Sequence, residues 1–567
     1  MKLETFFEKF DQFAEAPNAV AKLRELVLQL AVQGKLVEQS PDDGSATDLI
    51  ERSINERNRL VKEKRLRNSQ PITPVSEFNT AGSLPKNWAW TTLAEISLIN
   101  PRNDVEDDAL ATFIPMPGIP QNYRGPLGGE IRLWGEIKKS FTHFADGDIA
   151  LAKITPCFQN GKSAVFRGLK NGIGAGTTEL HVARPLGGPV LPEYVWIFLK
   201  SPLFIAEGIP AMTGSAGQKR VPTGYFALKP FPLPPLAEQK RVVAKVDELM
   251  ALCDRLETQQ QERVTRHAAL ARASLTRFAD APTQENLNLL FHPSYAIAPA
   301  DLRKTILTLA VQGKLVRQDP NDESAEDVLN RINQTRTNLL KSGYPNRDEA
   351  STQLRKQNTQ ALPDGLELIA PGWAWATLIQ ASLLVVDCHN KTAPYVDSGI
   401  RLLRTTNIRN GLLNLSEPKF INGATYERWS ARCKPEPGDI LITREAPMGE
   451  VCIIPEDMKV CLGQRMMLIR LVPETIDPKF LLYSLMDPAL MERVQDKPVG
   501  ATVQHLRVGG VETLLTPVPP LAEQRRIVTK VDQLMALVDQ LETQLTDSRA
   551  AAINLMEAMV AELTAQE

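Results

Sequence analysis

The chain carries PPLAEQKRVVA at 234–244 and PPLAEQRRIVT at 519–529. The match runs on through PPLAEQKRVVAKVDELMALCDRLETQ (234–259) and PPLAEQRRIVTKVDQLMALVDQLETQ (519–544), which agree at 20 of 26 positions. Upstream, LRELVLQLAVQGKLVEQSPDDGSA (23–46) returns as LRKTILTLAVQGKLVRQDPNDESA (302–325), an offset of 279 with LAVQGKLV identical. LPKNWAWTTL (84–93) returns as IAPGWAWATL (369–378), setting Trp88 and Trp90 against Trp373 and Trp375. A period this long belongs to no solenoid or propeller, so the chain is a tandem duplication of whole domains. Between the Trp-Ala-Trp and PPLAEQ segments the halves part company. FADGDIALAKITPCFQNGKSAV and PEPGDILITREAPMGEVCII share Gly-Asp-Ile, at 147–149 and 438–440, and little else. Frames stayed alike while contents diverged.

The frames read as helices. Leu23, Leu26, Val27, Leu30 and Ala31 follow helical spacing, with Gly34 as terminator. After the second PPLAEQ, Val531, Leu534, Val538, Leu541, Leu545, Ala552, Leu555 and Met559 recur at three and four residues, a coiled-coil signal. The first copy begins likewise (Val246, Leu249, Cys253, Leu256) but then puts Gln260, Arg263 and His267 in the seam. No Gly or Pro interrupts 237–280 or 521–567, and a helix of such length spans roughly 60 Å. The middles read as α/β: DIALAKI, SAVF, DILITRE, VCII and RMMLIRLV are broken by Gly and Pro turns, and helical stretches follow at 192–209 and 477–495. Gly-Asp-Ile is expected to be a turn into a strand, and both Trp pairs core packing on one strand face.

Composition narrows the class. The 567 residues are 43% hydrophobic and 23% charged, the balance of a soluble globular chain. No apolar run suffices to span a bilayer, and MKLETFFEKFDQF lacks the basic flank and cleavage site of a signal peptide. Six cysteines (157, 253, 388, 433, 452, 461) make no disulfide framework, so a reduced cytoplasm is expected. A net charge of −2 gives no overall nucleic-acid footprint. Locally, 131–230 holds 12 Lys or Arg against 6 Asp or Glu, whereas 401–520 holds 15 against 14.

Enzyme motifs fail one by one. Gly161-Lys162-Ser163 resembles the tail of a P-loop, but Pro156 occupies the place of its first glycine. GIGAGTTEL (172–180) spaces its glycines wrongly for a dinucleotide loop. NPRN and DPKF do not match an amino-methyltransferase loop, and PEDMK (455–459) reads better as a surface turn before a strand than as a nuclease cluster. There is no zinc spacing, Cys388-His389 lacks partners, and the six histidines suggest no triad. The chain reads as non-catalytic.

Paired PPLAEQ(K/R)R helices bracketing two unlike middles resemble the specificity subunit of a Type I restriction–modification enzyme. FIPM (113–116), GDIALAKITPCFQNGKSA (147–164), GIGAGTTELHVARP (172–185), LLRTTNIRNGLL (402–413), GDILITREAPMGEV (438–451) and CLGQRMMLIR (461–470) add to the likeness, which covers nearly the whole chain. The resemblance implies two globular α/β target-recognition domains held apart by long helices in an antiparallel coiled coil, a pseudo-twofold tandem repeat. The expected division is an N-terminal helical region (1–78), a first recognition domain (79–235), a long helix (236–280), a central region repeating the N-terminal helices (281–370), a second recognition domain (371–520) and a second long helix (521–567). Each domain would read half of a bipartite double-stranded target, and readers at the ends of such a helix would suit half-sites one to two DNA turns apart. Catalysis would lie on partners: methyltransferase subunits, two of them, and restriction/translocase subunits. S-adenosylmethionine, ATP and Mg are expected there and none on this chain, and base flipping goes to the methyltransferase. The LAVQGKLV piece departs from many family members, and the helix at 23–37 is expected to pair with the end of the other half's long helix. Two alternatives stay open: a fused methyltransferase–nuclease system, and a two-lobed protein-binding scaffold.

Arg and Lys suit guanine, Asn and Gln adenine, and Thr or Lys phosphate. The candidate contacts in the first middle are Lys153, Thr155, Asn160, Lys162, Thr177, Thr178, Gln218, Lys219 and Arg220. In the second they are Arg404, Thr405, Asn407, Arg444, Gln464, Arg465, Gln504 and His505. Lys153 and Arg444 each fall six residues after the glycine of Gly-Asp-Ile, and Gly214-x-x-x-Gln218 mirrors Gly500-x-x-x-Gln504. The plain alternative for each is a solvated loop residue.

Overall fold

A computed structural model describes residues 16, 18–63, 84–186, 188, 190–215, 217–292, 295–366, 368–495 and 505–564. They form two compact units, one of residues 1–262 with 547–567 and one of 263–546.

In the first unit, α1 (Ala19–Val32) buries the predicted stripe of Leu23, Leu26, Val27, Leu30 and Ala31. Gly34 does more than end it. At φ +71°, a Cβ there would lie 2.7 Å from Pro85 and 3.3 Å from the Trp88 ring. Gly313 meets Ala370 and Trp373 in the same way, at 2.6 and 3.0 Å. The glycine of LAVQGKLV is thus the seat of the first tryptophan of Trp-Ala-Trp. Within each Trp-Ala-Trp only that tryptophan is buried; Trp90 and Trp375, on β1 (Ala89–Thr91) and its counterpart in two-stranded ladders, stay half-buried, so one of each pair and not both is core packing. From α2 (Ala46–Lys62), Arg57 reaches the carbonyls of Ala94 and Ser97.

The first middle holds two four-stranded sheets. One orders β2 (Ser97–Ile99), β9 (Leu180–Pro185), β6 (Ile149–Ala152) and β7 (Ser163–Val165), all antiparallel. The other orders β4 (Glu130–Leu133), β3 (Leu110–Ile114), β8 (Ile173–Gly176) and β5 (Thr142–Ala145), with β3 and β8 parallel. The expected helix at 192–209 is broken into α3 (Pro192–Lys200) and α4 (Pro202–Ala211). Pro202 cannot donate into a continuing helix, and Ser201 caps the new one. β10 (Phe231–Leu233) returns beside β1, and α5 (Leu236–Asp280) follows.

In the second unit α6 (Pro299–Val311) and α7 (Ala325–Lys341) repeat α1 and α2, and Arg336 reaches the Ile379 carbonyl as Arg57 does its own. β11 (Ala374–Thr377) pairs with β21 (Leu515–Val518). Between them β12 (Leu384–Asp387), β20 (Met466–Arg470), β17 (Ile440–Thr443) and β18 (Val451–Ile453) form an antiparallel sheet in the same order as β2-β9-β6-β7. β13 (Ile400–Leu403) lies antiparallel to β16 (Lys419–Ile421) and parallel to β19 (Val460–Leu462), as β3 lies between β4 and β8, and a short hairpin of β14 (Ile408–Arg409) and β15 (Leu412–Leu413) separates β13 from β16 along the chain. The expected helix at 477–495 is α8 (Pro478–Met486) followed by a 3-10 turn from Pro488. The diverged sequences share one fold.

α5 has 45 residues and α9 (Leu521–Thr564) has 44. The first unit's core joins the start of α5 (Val242, Val246, Leu249, Cys253) to α1 and to Met556, Met559 and Leu563. Lys22 pairs with Glu557 at 3.3 Å. The second unit's core joins the start of α9 (Ile527, Val531, Leu534, Val538) to α6 and to Phe278. Each unit therefore packs the start of one long helix with the end of the other, as an antiparallel coiled coil requires. The predicted seam drifts at its end: Leu555 is exposed and Met556 buried instead, since a 3.6-residue turn outruns a strict heptad. No helix among the described residues is long and apolar enough to cross a membrane.

Candidate nucleic-acid interface

PPLAEQ is a mounting. Gln239 donates to the Pro234 carbonyl (2.9 Å) and accepts from the Leu191 backbone at the head of α3 (2.8 Å). Gln524 does the same with Pro519 and Asp477, both at 2.8 Å. Glu238 and Glu523 are buried beside Trp88 and Trp373, and burial pushes both carboxyls up. Arg241 forks onto Asp43 at 2.7 and 2.6 Å, holding that carboxyl below its usual range, and Arg526 meets Asp322 at 2.7 Å. All of these groups except Leu191 and Asp477, which belong to the middles, lie in a repeated segment. They lock the root of each long helix to the divergent middle and to the helices before it.

Gly-Asp-Ile aligns what the middles present. Gly147 and Gly438 adopt φ +89° and +86°. Asp148 accepts from the Ala145 backbone at 2.7 Å, and Asp439 from Glu436 at 2.8 Å. Each also pairs with an arginine of the central strand. Arg184 meets Asp148 twice at 2.8 Å, and Arg470 meets Asp439 at 2.8 and 2.7 Å. The strand that follows therefore leaves both sheets at one place. The Lys153 backbone donates to Glu179 (2.9 Å) and accepts from Val221 (2.8 Å); Arg444 donates to Arg465 (2.8 Å) and accepts from Leu506 (2.9 Å). Three segments converge in each unit, around 153–155, 177–179 and 217–220 in one and 444, 463–465 and 505–506 in the other. Cis peptides precede Pro156 and Pro447 at matching positions.

The side chains differ between the two junctions. In the first, Arg220 forks onto Glu179 at 2.9 and 2.8 Å and lowers its carboxyl. Thr155 donates to the Gly217 carbonyl at 3.1 Å, and Thr177 accepts from the Glu179 backbone at 3.2 Å. Lys153 is half-buried, while Thr178, Gln218 and Lys219 are exposed. Asn160 and Lys162 sit at the far side of the 153–162 loop, where Lys162 donates to the Met116 carbonyl at 3.3 Å. In the second, Arg444 lies 3.3 Å from both Asp387 and the Leu506 carbonyl. Arg465 (φ +69°) pairs with Glu445 at 3.0 Å, and Gln464 and His505 are half-buried. Gln504 and Gly500 lie outside the described residues.

Arg404 joins this second junction from the end of β13, where Leu403 accepts from the Gly463 backbone at 2.7 Å. Thr405 and Asn407 form the turn behind it. Asn407 is buried, accepts from the Arg404 backbone and donates to the Asn414 carbonyl, both at 2.9 Å, so its amide faces the chain rather than solvent. Sequence reasoning missed the acids Glu179, Asp387 and Glu445 that hold these cations, although Glu179 stood in GTTEL and Glu445 in DILITRE. The Arg220–Glu179 pair is solvent-screened on the arginine side, so the guanidinium exchanges onto another acceptor at small cost. No group of His, Cys, Asp and Glu among the described residues is arranged to hold a metal.

Comparison with known proteins follows the same lines. Residues 408–548 match the family model described as Type I restriction modification DNA specificity domain. The Type I restriction enzyme EcoAI specificity subunit of Escherichia coli is 37% identical, over 95% of this chain and 93% of that one. The EcoEI specificity subunit of Escherichia coli is 35% identical over the same shares, 95% and 93%. Among solved structures, the HsdS subunit from Thermoanaerobacter tengcongensis is 17% identical, with a TM-score of 0.43 over 85% of this chain and 98% of that one.

Proposed function

This chain belongs to the Type I restriction–modification specificity subunits, non-catalytic subunits that recognise DNA, and on that premise we propose that each of its two middles reads one half of a bipartite duplex target. The observation that carries the proposal is one backbone junction bearing two sets of side chains. Lys153, Glu179 and Arg220 of the first stand where Arg444, Arg465 and His505 stand in the second. Equal mounting with unequal donors and acceptors is what reading two different base sequences demands.

Arg220, Lys153, Gln218 and Lys219 are the base-edge candidates of the first reader, with Thr155, Asn160, Lys162, Thr177 and Thr178 positioning its phosphates. Arg404, Arg444, Gln464, Arg465, Gln504 and His505 are those of the second, with Thr405 at the backbone and Asn407 holding the turn. The long helices fix the gap between half-sites. Methylation and cleavage belong to two methyltransferase subunits and to restriction subunits in the cytoplasm, which carry S-adenosylmethionine, ATP and Mg. The test is selection from a random duplex pool, at moderate salt, by this chain co-expressed with its methyltransferase partner. A split motif with a fixed gap is expected; an intact complex that selects no motif overturns the reading in favour of a protein-binding scaffold.

A further inference from the structure

One contact in the first unit has no repeated counterpart in sequence. The loop 118–128 is closed at its stem, where Gly128 donates to the Gly118 carbonyl at 3.0 Å. A Cβ on Gly118 would fall 1.8 Å from the Gly128 oxygen, so the stem accepts no side chain there. At the tip, Tyr123 donates to Asp247 of α5 at 2.7 Å, and Arg124 forks onto the same carboxylate with both bonds at 2.6 Å. Tyr123 stacks on Trp196 of α3, with centroids 4.8 Å apart and planes 13° from parallel.

The flank of the loop is tied to the candidate reading loop. Lys200 donates to the carbonyls of Gln121 and Gly161, both at 2.8 Å. Trp196 donates to Ser163 at 3.0 Å, and the Ser163 backbone to the Pro120 carbonyl at 3.3 Å. One loop thus grips the long helix at its tip and the segment 161–163 along its side.

Asp247 lies eight residues beyond Gln239, about 12 Å further along the helix. A domain held only at PPLAEQ would pivot about that root; a second grip at this lever arm removes the pivot. The second unit grips its helix at the equivalent residue, Asp532, through Lys479 (2.8 Å) and Tyr483 of α8. The position is shared while the partner is not: a loop strap in one half, a helix in the other.

We propose that Tyr123, Arg124 and Asp247 are positioning residues that set the angle of the first reader on its helix, and so the gap tolerated between half-sites, without reading bases. This rests on the two-reader function proposed above. The test repeats the duplex selection with the methyltransferase-bound complex carrying Asp247→Asn, Arg124→Ala or both. Both half-site sequences are expected to persist, while discrimination against gaps one base pair longer or shorter falls about fivefold. The double variant is expected to lose no more than either single one, since all act on one contact. Arg124→Ala, on the solvent side, serves if Asp247→Asn assembles poorly. An unchanged gap preference with binding intact overturns the strap, and so does a changed first half-site sequence. Failure of the unaltered complex to select any split motif removes the underlying two-reader function instead.

Discussion

Asp439→Ala is expected to loosen the second recognition domain far more than Asp148→Ala loosens the first. Arg470 and Asp439 are nearly closed off, with side chains 9% and 3% exposed. Losing the carboxylate leaves the guanidinium with the Tyr344 hydroxyl, the Lys434 carbonyl and the solvent-facing Glu436, and orphans the Glu436 backbone N–H. Breaking a buried pair costs about 3–5 kcal/mol, and Glu436 offsets part of it, so about 3 is expected. Arg184 is 28% exposed and also donates to Asn103 at 2.8 Å, which places Asp148→Ala nearer 1–2 kcal/mol. A chain of two units does not unfold in one step, so the assay is native-state hydrogen exchange, read strand by strand. Protection at Leu441 and Leu468 should fall about a hundredfold or more, and at Ala150 and Val182 about tenfold. Equal losses in the two units, or a loss under about fivefold at Leu441, would refute the assignment of these pairs as the pins of the reading strands.

Gln524→Ala orphans the Asp477 N–H and the Pro519 carbonyl, and should cost about 2–3 kcal/mol, read as faster exchange in the first turn of α8. Gly176→Ala would place a Cβ 2.2 Å from the Ile114 carbonyl; separation of β3 from β8, costing about 1–3 kcal/mol, should appear as lost protection at Thr177. Burial lowers the Lys200 ammonium to about 7, whereas an unfolded lysine titrates near 10.4. The unfolded chain therefore binds the extra proton between those values, and stability rises with pH across that window and falls as pH drops toward 7. Lys200→Met should abolish this rise, so the midpoint of the first unit's own thermal transition, compared at pH 7 and 9.5, should diverge between the two proteins, with the unaltered protein gaining. Parallel curves would contradict it.

The frames were legible because the chain states them twice. Leu23 to Ala31 and Val531 to Val538 repeat at helical spacing, and the structure buries each of them. The common fold of the middles was not legible, since it rests on backbone pairing and on one Asp–Arg pin per unit. The aspartates stood in Gly-Asp-Ile, but Arg184 and Arg470 sit in unlike strings, HVARP and LIRLV. Asn407 looked like a reader by residue type; its fate was decided by the Arg404 and Asn414 backbones, which no spacing announces. The strap escaped for the same reason: Tyr123 and Asp247 lie 124 residues apart, and only packing brings them together.

The most direct test of the two-reader account is to replace residues 379–515 with the matching segment of the EcoAI relative and repeat the duplex selection with the methyltransferase-bound complex. One half-site should change while the other half and the gap stay as they were. A change in both halves, or in neither, would contradict it.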